Sequence, residues 1–183
     1  MADGRPDVCA AADVHYLRPG GARAAAVTAR DPAFSAIQAE WTVLLPAVLP
    51  YQPGEFFLRE LPPLRAVLAH VPNLALLVID GYADLDPGGR PGLGAHAHAA
   101  FGVPVIGVAK TRFRDASHAV EVLRGNSSRP LFVTAAGMPR AEAADLVRQM
   151  AGPFRLPDAL RRADALARAP DNSAPTQPVR QLE

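Results

Sequence analysis

Apolar and polar positions alternate between two rhythms along this chain. Near the start, DVCAAADVHYL and ARAAAVTA flank RPGG, whose Pro-Gly-Gly marks a turn, so the two runs predict a hairpin. IQAEWTVLLPAV has the β-branched and aromatic content of a third strand, although its first half also suits a helix. GEFFLRELPPLRAVLAHV changes rhythm: Phe57, Leu58, Leu61, Leu64, Val67 and Leu68 recur at helical spacing, with Pro62-Pro63 expected to bend or interrupt the helix. NLALLVIDGY is a continuous apolar run ending in Asp-Gly, the form of a central parallel strand covered on both faces. GLGAHAHAAFG predicts a short helix and VPVIGVAK a second buried strand. HAVEVLRG and RPLFVTAAG read as further short strands, the first equally as helix. PRAEAADLVRQMAG and PDALRRADALARA are helices opened by proline. Three early strands, two strands each led into by a helix, and terminal helices predict an α/β fold: a mixed five-stranded sheet flanked by helices on both faces.

Acidic residues fall at informative places in that pattern. Asp13 interrupts an apolar strand, where an unpaired charge is costly. Asp80 ends LALLVID, at the carboxyl end of a strand where α/β sheets place ligands. Glu60 lies in FFLREL on the helix before it. Taken singly, Asp-Gly at a strand end is often only a turn, and Glu60 has arginines beside it to pair with. If the three converge, they make an all-oxygen site for a hard divalent cation such as Mg²⁺, suited to phosphodiester chemistry. That combination points to a metal-dependent nuclease of ribonuclease-H-like type.

Composition narrows the classes. The 183 residues, 49% hydrophobic and 20% charged, fit one domain able to bury a core. We expect it to span residues 1–168, with the Pro-rich stretch 169–183 as a disordered tail. A net charge of +1 neither favours nor excludes nucleic acid. One cysteine, Cys9, rules out an internal disulfide and a cysteine-rich zinc site. No signal segment and no long apolar run is present, so the expectation is a cytoplasmic protein with no membrane partner, and a monomer. Lys110 is the only lysine among 19 basic residues, directly after the apolar run VPVIGVA. His96 and His98 diverge by roughly 200° on a helix, which argues against a paired metal site. His96 alone is a candidate neighbour of the Asp80 end of the sheet.

PYQPGEFFLRE, LLVIDGYADLDPGGRPGLGAHAHAAFGVPVIGVAKTRF, RPLFVTAAGM and FRLPDALRRADALAR, in this order, resemble the endonuclease V family over nearly the whole chain. The most specific part is the ordered set Pro-Tyr-x-Pro-Gly, Arg-Glu, Asp-Gly and Gly-Val-Ala-Lys. The resemblance implies a ribonuclease-H-like fold and, with Mg²⁺ or Mn²⁺ in its place, cleavage on the 3′ side of a deaminated adenine. It implies metal binding by Asp13, Glu60 and Asp80, with Asp164 as a further acidic position and Lys110 as the active-site lysine. It further implies a wedge at Tyr51 and a base pocket lined by Gly54 and Gly81, and Pro53 and His96 are further candidates for contact with the nucleic acid. A flipped hypoxanthine, lacking the 2-amino group of guanine, is readable in such a pocket. The chain departs from the family pattern at Gln52, Tyr82, Ala83 and Asp86, in AAGM after the late strand, and in a shortened segment after Lys110. These departures leave open inosine-containing RNA as the substrate, or a non-catalytic nucleic-acid-binding module.

Overall fold

The structure is a computed structural model that describes residues 7–50 and 56–170. Its centre is a seven-stranded mixed sheet of order β3-β2-β1-β4-β5-β7-β6. The strands are β1 (Val8–Tyr16), β2 (Ala22–Ala29), β3 (Ala39–Leu45), β4 (Leu74–Asp80), β5 (Val105–Ala109), β6 (Val120–Val122) and β7 (Leu131–Ala136). Strands β1 to β3 form an antiparallel meander, and β1, β4 and β5 run parallel. β7 then pairs antiparallel with both β5 and β6.

The expected count of five strands is therefore short by two. β5 is no edge strand: β7 pairs with it from Phe132 to Ala136, and β6 follows with Val122 opposite Leu131, both buried. The segment around Val120–Val122 suits helix or strand by local pattern, and its pairing with Leu131–Val133 decides for strand.

Helices α1 (Phe56–Leu68), α2 (Leu93–Phe101), α3 (Arg140–Gln149) and α4 (Asp158–Arg168) cover the two faces. One face holds Ala11, Val27, Val78, Val108 and Val133 against α3 and α4. The other holds Ala10, Ala12, Ala24, Ala26, Leu77 and Ile79 against α1 and α2. All eight residues of β2 are buried, six of them alanine or valine outright in its core, which lets helices approach a sheet of small side chains from both sides. Alanine is a weak strand former, so burial rather than propensity holds these strands.

Pro62 and Pro63 do not end α1. Proline removes two backbone donors there, but the helix is fastened by Leu64, Val67 and Leu68, all buried and each stabilising by roughly 1.5–3 kcal/mol. Leu58, expected on the apolar face, is exposed. The buried stripe runs instead through Glu60, Leu64 and Val67, which carries a carboxylate inward. Among the described residues, no helix is long and apolar enough to cross a membrane.

Candidate active site

Strand register brings the first two carboxylates together. Ala12 is paired with Ile79 across the parallel β1/β4 ladder, so Asp13 and Asp80 lie side by side at the next step, on strands about 4.8 Å apart. Both lie on the face of Ala11, Val78 and Val108, under α3 and α4. Asp80 is also paired with Val108 of β5, and Lys110 follows two residues later, on the same side by the period of two. The Lys110 ammonium donates to Asp80 Oδ2.

α4 adds Asp164, whose Oδ1 accepts from Arg168 Nε at 2.7 Å. Asp164 and Asp13 lie close enough to shift each other's ionisation. Glu60 arrives from α1 on the opposite face, and Tyr16 donates to Glu60 Oε1 at 2.6 Å. Tyr16 has the parity of Ala10 and Ala12, which points it toward α1 rather than α4. The Arg59 guanidinium lies 3.6 Å above the Tyr16 ring.

Electrostatics show that these groups act on one another. Burial, then the charges of Asp80 and Asp164, push Asp13 up to about 7. Burial raises Glu60 to about 7 as well, against the lowering hydrogen bond from Tyr16 and with the charge of Asp13 adding to the rise. Asp164 moves the other way: burial opposes it, but Arg168, Asp13 and Lys110 hold it below its ordinary value. Burial works against the Lys110 ammonium, and Asp80, Asp164 and Asp13 more than offset that, so its pKa is raised. A cluster in which two carboxyls resist ionisation because of burial and neighbouring negative charge is short of positive charge.

All four donors are carboxylates, the set a hard divalent cation takes. Among the described residues, no group of three or more His, Cys, Asp and Glu side chains is arranged as it stands to hold a metal ion. Glu60, Asp80 and Asp164 are turned toward Tyr16, Lys110 and Arg168. The chemistry of the donors and their mutual repulsion nevertheless fit a cation.

The remaining candidates divide. Gly81 follows Asp80 with φ 127°, a conformation that favours glycine, and a Cβ there would meet nothing within 4 Å. The ring of His96 stacks on Phe57 at 3.5 Å between centroids, and burial lowers its pKa. Ala83 is fully buried against Gly94 of α2 and donates its N–H to Thr134 Oγ1 at 2.7 Å. Asp86 pairs with Arg90. Tyr51, Pro53 and Gly54 lie outside the described residues, as does nearly all of the stretch expected to form a tail.

Three participants are absent from the sequence-based candidates. Tyr16 carries one usable signal, its strand parity, but nothing local names Glu60 as its partner. Thr134 and Gly107 have none. A Cβ at Gly107 would come within 2.6 Å of Ala83 N and 2.7 Å of Gly81 O, so only glycine lets the loop after Asp80 cross β5.

A mixed sheet with β1, β4 and β5 parallel at its centre, Asp13 just past the β1/β4 ladder, Asp80 at the end of β4 and further carboxylates on flanking helices, has the architecture of the ribonuclease-H-like class. The comparisons narrow the class to a family. The endonuclease V family model matches residues 2–165, and the chain belongs to that family. Endonuclease V of Streptomyces coelicolor is 34% identical over 180 residues, covering 86% of this chain and 76% of that protein. The crystal structure of endonuclease V from Streptomyces avermitilis superposes with a TM-score of 0.73 at 28% identity, covering 88% of this chain and 79% of that one. Endonuclease V of Ciona intestinalis, solved with a 23mer DNA containing an inosine followed by a ribo-adenosine, has the same fold, with a TM-score of 0.73 at 19% identity. That match covers 88% of this chain and 84% of the other.

Proposed function

We propose that this protein is a Mg²⁺-dependent endonuclease that hydrolyses the phosphodiester on the 3′ side of a hypoxanthine base in DNA. The observation that carries the reading is the meeting of Asp13 and Asp80 on adjacent parallel strands, beside Lys110, in a chain of the endonuclease V family. The inosine-containing DNA held by the Ciona relative supports the choice of substrate. Asp13, Glu60, Asp80 and Asp164 would hold the cation, with Mn²⁺ able to replace Mg²⁺. Bound there, a divalent cation supplies Lewis-acid stabilisation of the phosphoryl oxygens.

The other roles fall to the chain itself. The Lys110 ammonium, half-exposed and anchored on Asp80, faces the place where negative charge grows as the phosphorus is attacked. A compact ammonium suits that place better than a broad guanidinium fork. Tyr16 orients Glu60 through its hydroxyl. Tyr51 and Pro53 serve as a wedge where the base leaves the stack, and Gly54, Gly81 and His96 border the extruded base.

A cleavage assay on matched DNA and RNA strands, with and without one inosine, tests the substrate. Cutting restricted to inosine-containing DNA, and abolished by EDTA, is the expected result. Preferential cutting of inosine-containing RNA would move the assignment to a ribonuclease, and binding without cutting of any strand would move it to a nucleic-acid-binding module.

A further inference from the structure

The β5/β7 ladder ends at the Ala109–Phe132 pair, so the backbone from Lys110 onward leaves the sheet. The Lys110 side chain is 43% exposed, and packing alone does not fix its long, flexible stem. Two side chains from distant loops take over where the strand stops. Arg155 Nη2 donates to the Lys110 carbonyl at 2.5 Å and to the Pro130 carbonyl at 2.6 Å, bridging the outgoing end of β5 to the entry of β7. On the next residues, the Tyr82 hydroxyl donates to the Thr111 carbonyl at 2.8 Å and accepts from the Phe113 N–H at 2.8 Å. The Tyr82 and Phe113 rings also meet at 6.0 Å between centroids.

Both anchors are themselves fixed. Tyr82 lies two residues after Asp80, next to Ala83, which is tied to Thr134. The loop it starts is tied again to the 111–119 segment by Arg90 on Asp115 at 3.3 Å. His118 Nε2 also comes within 3.0 Å of Asp84 Oδ1, in ion-pair range without hydrogen-bond alignment. Arg155 lies in the loop that leads into α4. Arg124, only 6% exposed, gathers that loop: it donates to the carbonyls of Met150, Gly152 at 3.3 Å and Phe154 at 2.9 Å. The loop that grips Lys110 therefore also launches the helix that carries Asp164.

We propose that Tyr82 and Arg155 are positioning residues for Lys110. They clamp the backbone at Lys110 and over the three residues that follow it, and hold the ammonium on the Asp80 side of the site, without touching the nucleic acid themselves. The proposal rests on the role assigned to Lys110 above. It predicts a specific pattern, because a positioning effect is felt only while the positioned group is present.

The test uses the full-length protein with Mg²⁺ and a hypoxanthine-containing DNA duplex. Single-turnover cleavage is compared for the parent, Tyr82→Phe, Arg155→Lys and Lys110→Ala, and for each clamp variant combined with Lys110→Ala. Affinity for the same duplex in EDTA and the melting temperature are read alongside. Tyr82→Phe keeps the ring and removes both hydrogen bonds. Arg155→Lys keeps the charge but ends one bond short of the Nη2 that bridges the two carbonyls. Each is expected to slow cleavage roughly 10- to 100-fold, the scale of a small misplacement of a reacting group. Affinity should stay within about twofold, and neither change should slow the Lys110→Ala protein further. Parent rates in Tyr82→Phe and Arg155→Lys, with Lys110→Ala slow, would overturn the clamp alone. An undiminished loss in the Lys110→Ala background would also overturn it, as an effect independent of the lysine. Lys110→Ala cutting at the parent rate would overturn the reading of Lys110, and the clamp with it.

Discussion

Lys110 stands where three constraints meet: it follows a buried strand, its ammonium donates to Asp80, and Asp164 and Asp13 raise its pKa. A charge that works mainly on the transition state lowers the chemical rate when removed and leaves substrate binding nearly intact. Lys110→Ala should therefore lose about 10²–10³ in single-turnover rate. Lys110→Arg should fall between, since the charge is kept and its shape is not. Parent-like cleavage by Lys110→Ala would make this an ordinary surface lysine.

The neighbouring carboxyls give a pH signature of the cation-free protein. Asp13 and Glu60, ordinarily at 3.8 and 4.5, both stand at about 7 in the folded chain. The folded state thus holds protons that the unfolded chain releases. Their contribution to stability is complete below the unfolded values and is lost as pH rises through about 7. Asp164, shifted down, works oppositely: its contribution is present above its ordinary 3.8 and is lost as pH falls further. In EDTA, the melting temperature should therefore drop between about pH 4 and pH 7 and then level off, and a divalent cation should restore it at the upper end. A melting temperature that rises steadily across this window would contradict the assigned shifts.

At the scale of elements, the site depends on the crossing of β5 by the loop after β4. Gly107 is the residue that permits it, because a methyl there would press on Ala83 N, Gly81 O and Thr134 Oγ1 together. Gly107→Ala should destabilise by about 1–3 kcal/mol, the cost of overpacking a close contact, and displace the Asp80–Ala83 turn. Thermal unfolding together with cleavage would show it, as loss in both. Gain or no change in stability would mean the loop crosses with room to spare.

The same scale shows what was legible in the sequence. β1 and β4 announce themselves, since an apolar run closed by, or interrupted by, an acid is costly unless the acid has a task. α2 and α4 are clear from spacing and flanking proline or glycine. β6 is not, because three residues carry no period and only pairing with β7 defines them. Glu60 was recognisable as a candidate, but its burial comes from a stripe through Leu64 and Val67 that excludes Leu58. Asp164 came from the family resemblance; its place opposite Asp13 depends on how α4 packs on β1. Tyr16, Tyr82, Thr134 and Arg155 act through partners far away in the chain, and no local pattern encodes such contacts.

At the scale of the whole molecule, the chain invests its small side chains in a sheet that helices can cover closely. Its charges collect where the parallel strands end. β1, β4 and β5 deliver Asp13, Asp80 and Lys110 to one edge, α1 supplies Glu60 across the sheet, and α4 supplies Asp164. The cutting site proposed above is this meeting of carboxylates. Asp80→Asn tests it most directly, since the amide keeps the shape and removes the charge. The measurement is Mg²⁺-dependent cleavage of a duplex carrying one hypoxanthine, with binding in EDTA and thermal unfolding as controls. The parent should cut on the 3′ side of the lesion, while Asp80→Asn should bind the duplex and fold but cut at least about 10³-fold more slowly. Cutting by Asp80→Asn at the parent rate would place the chemistry away from these carboxylates.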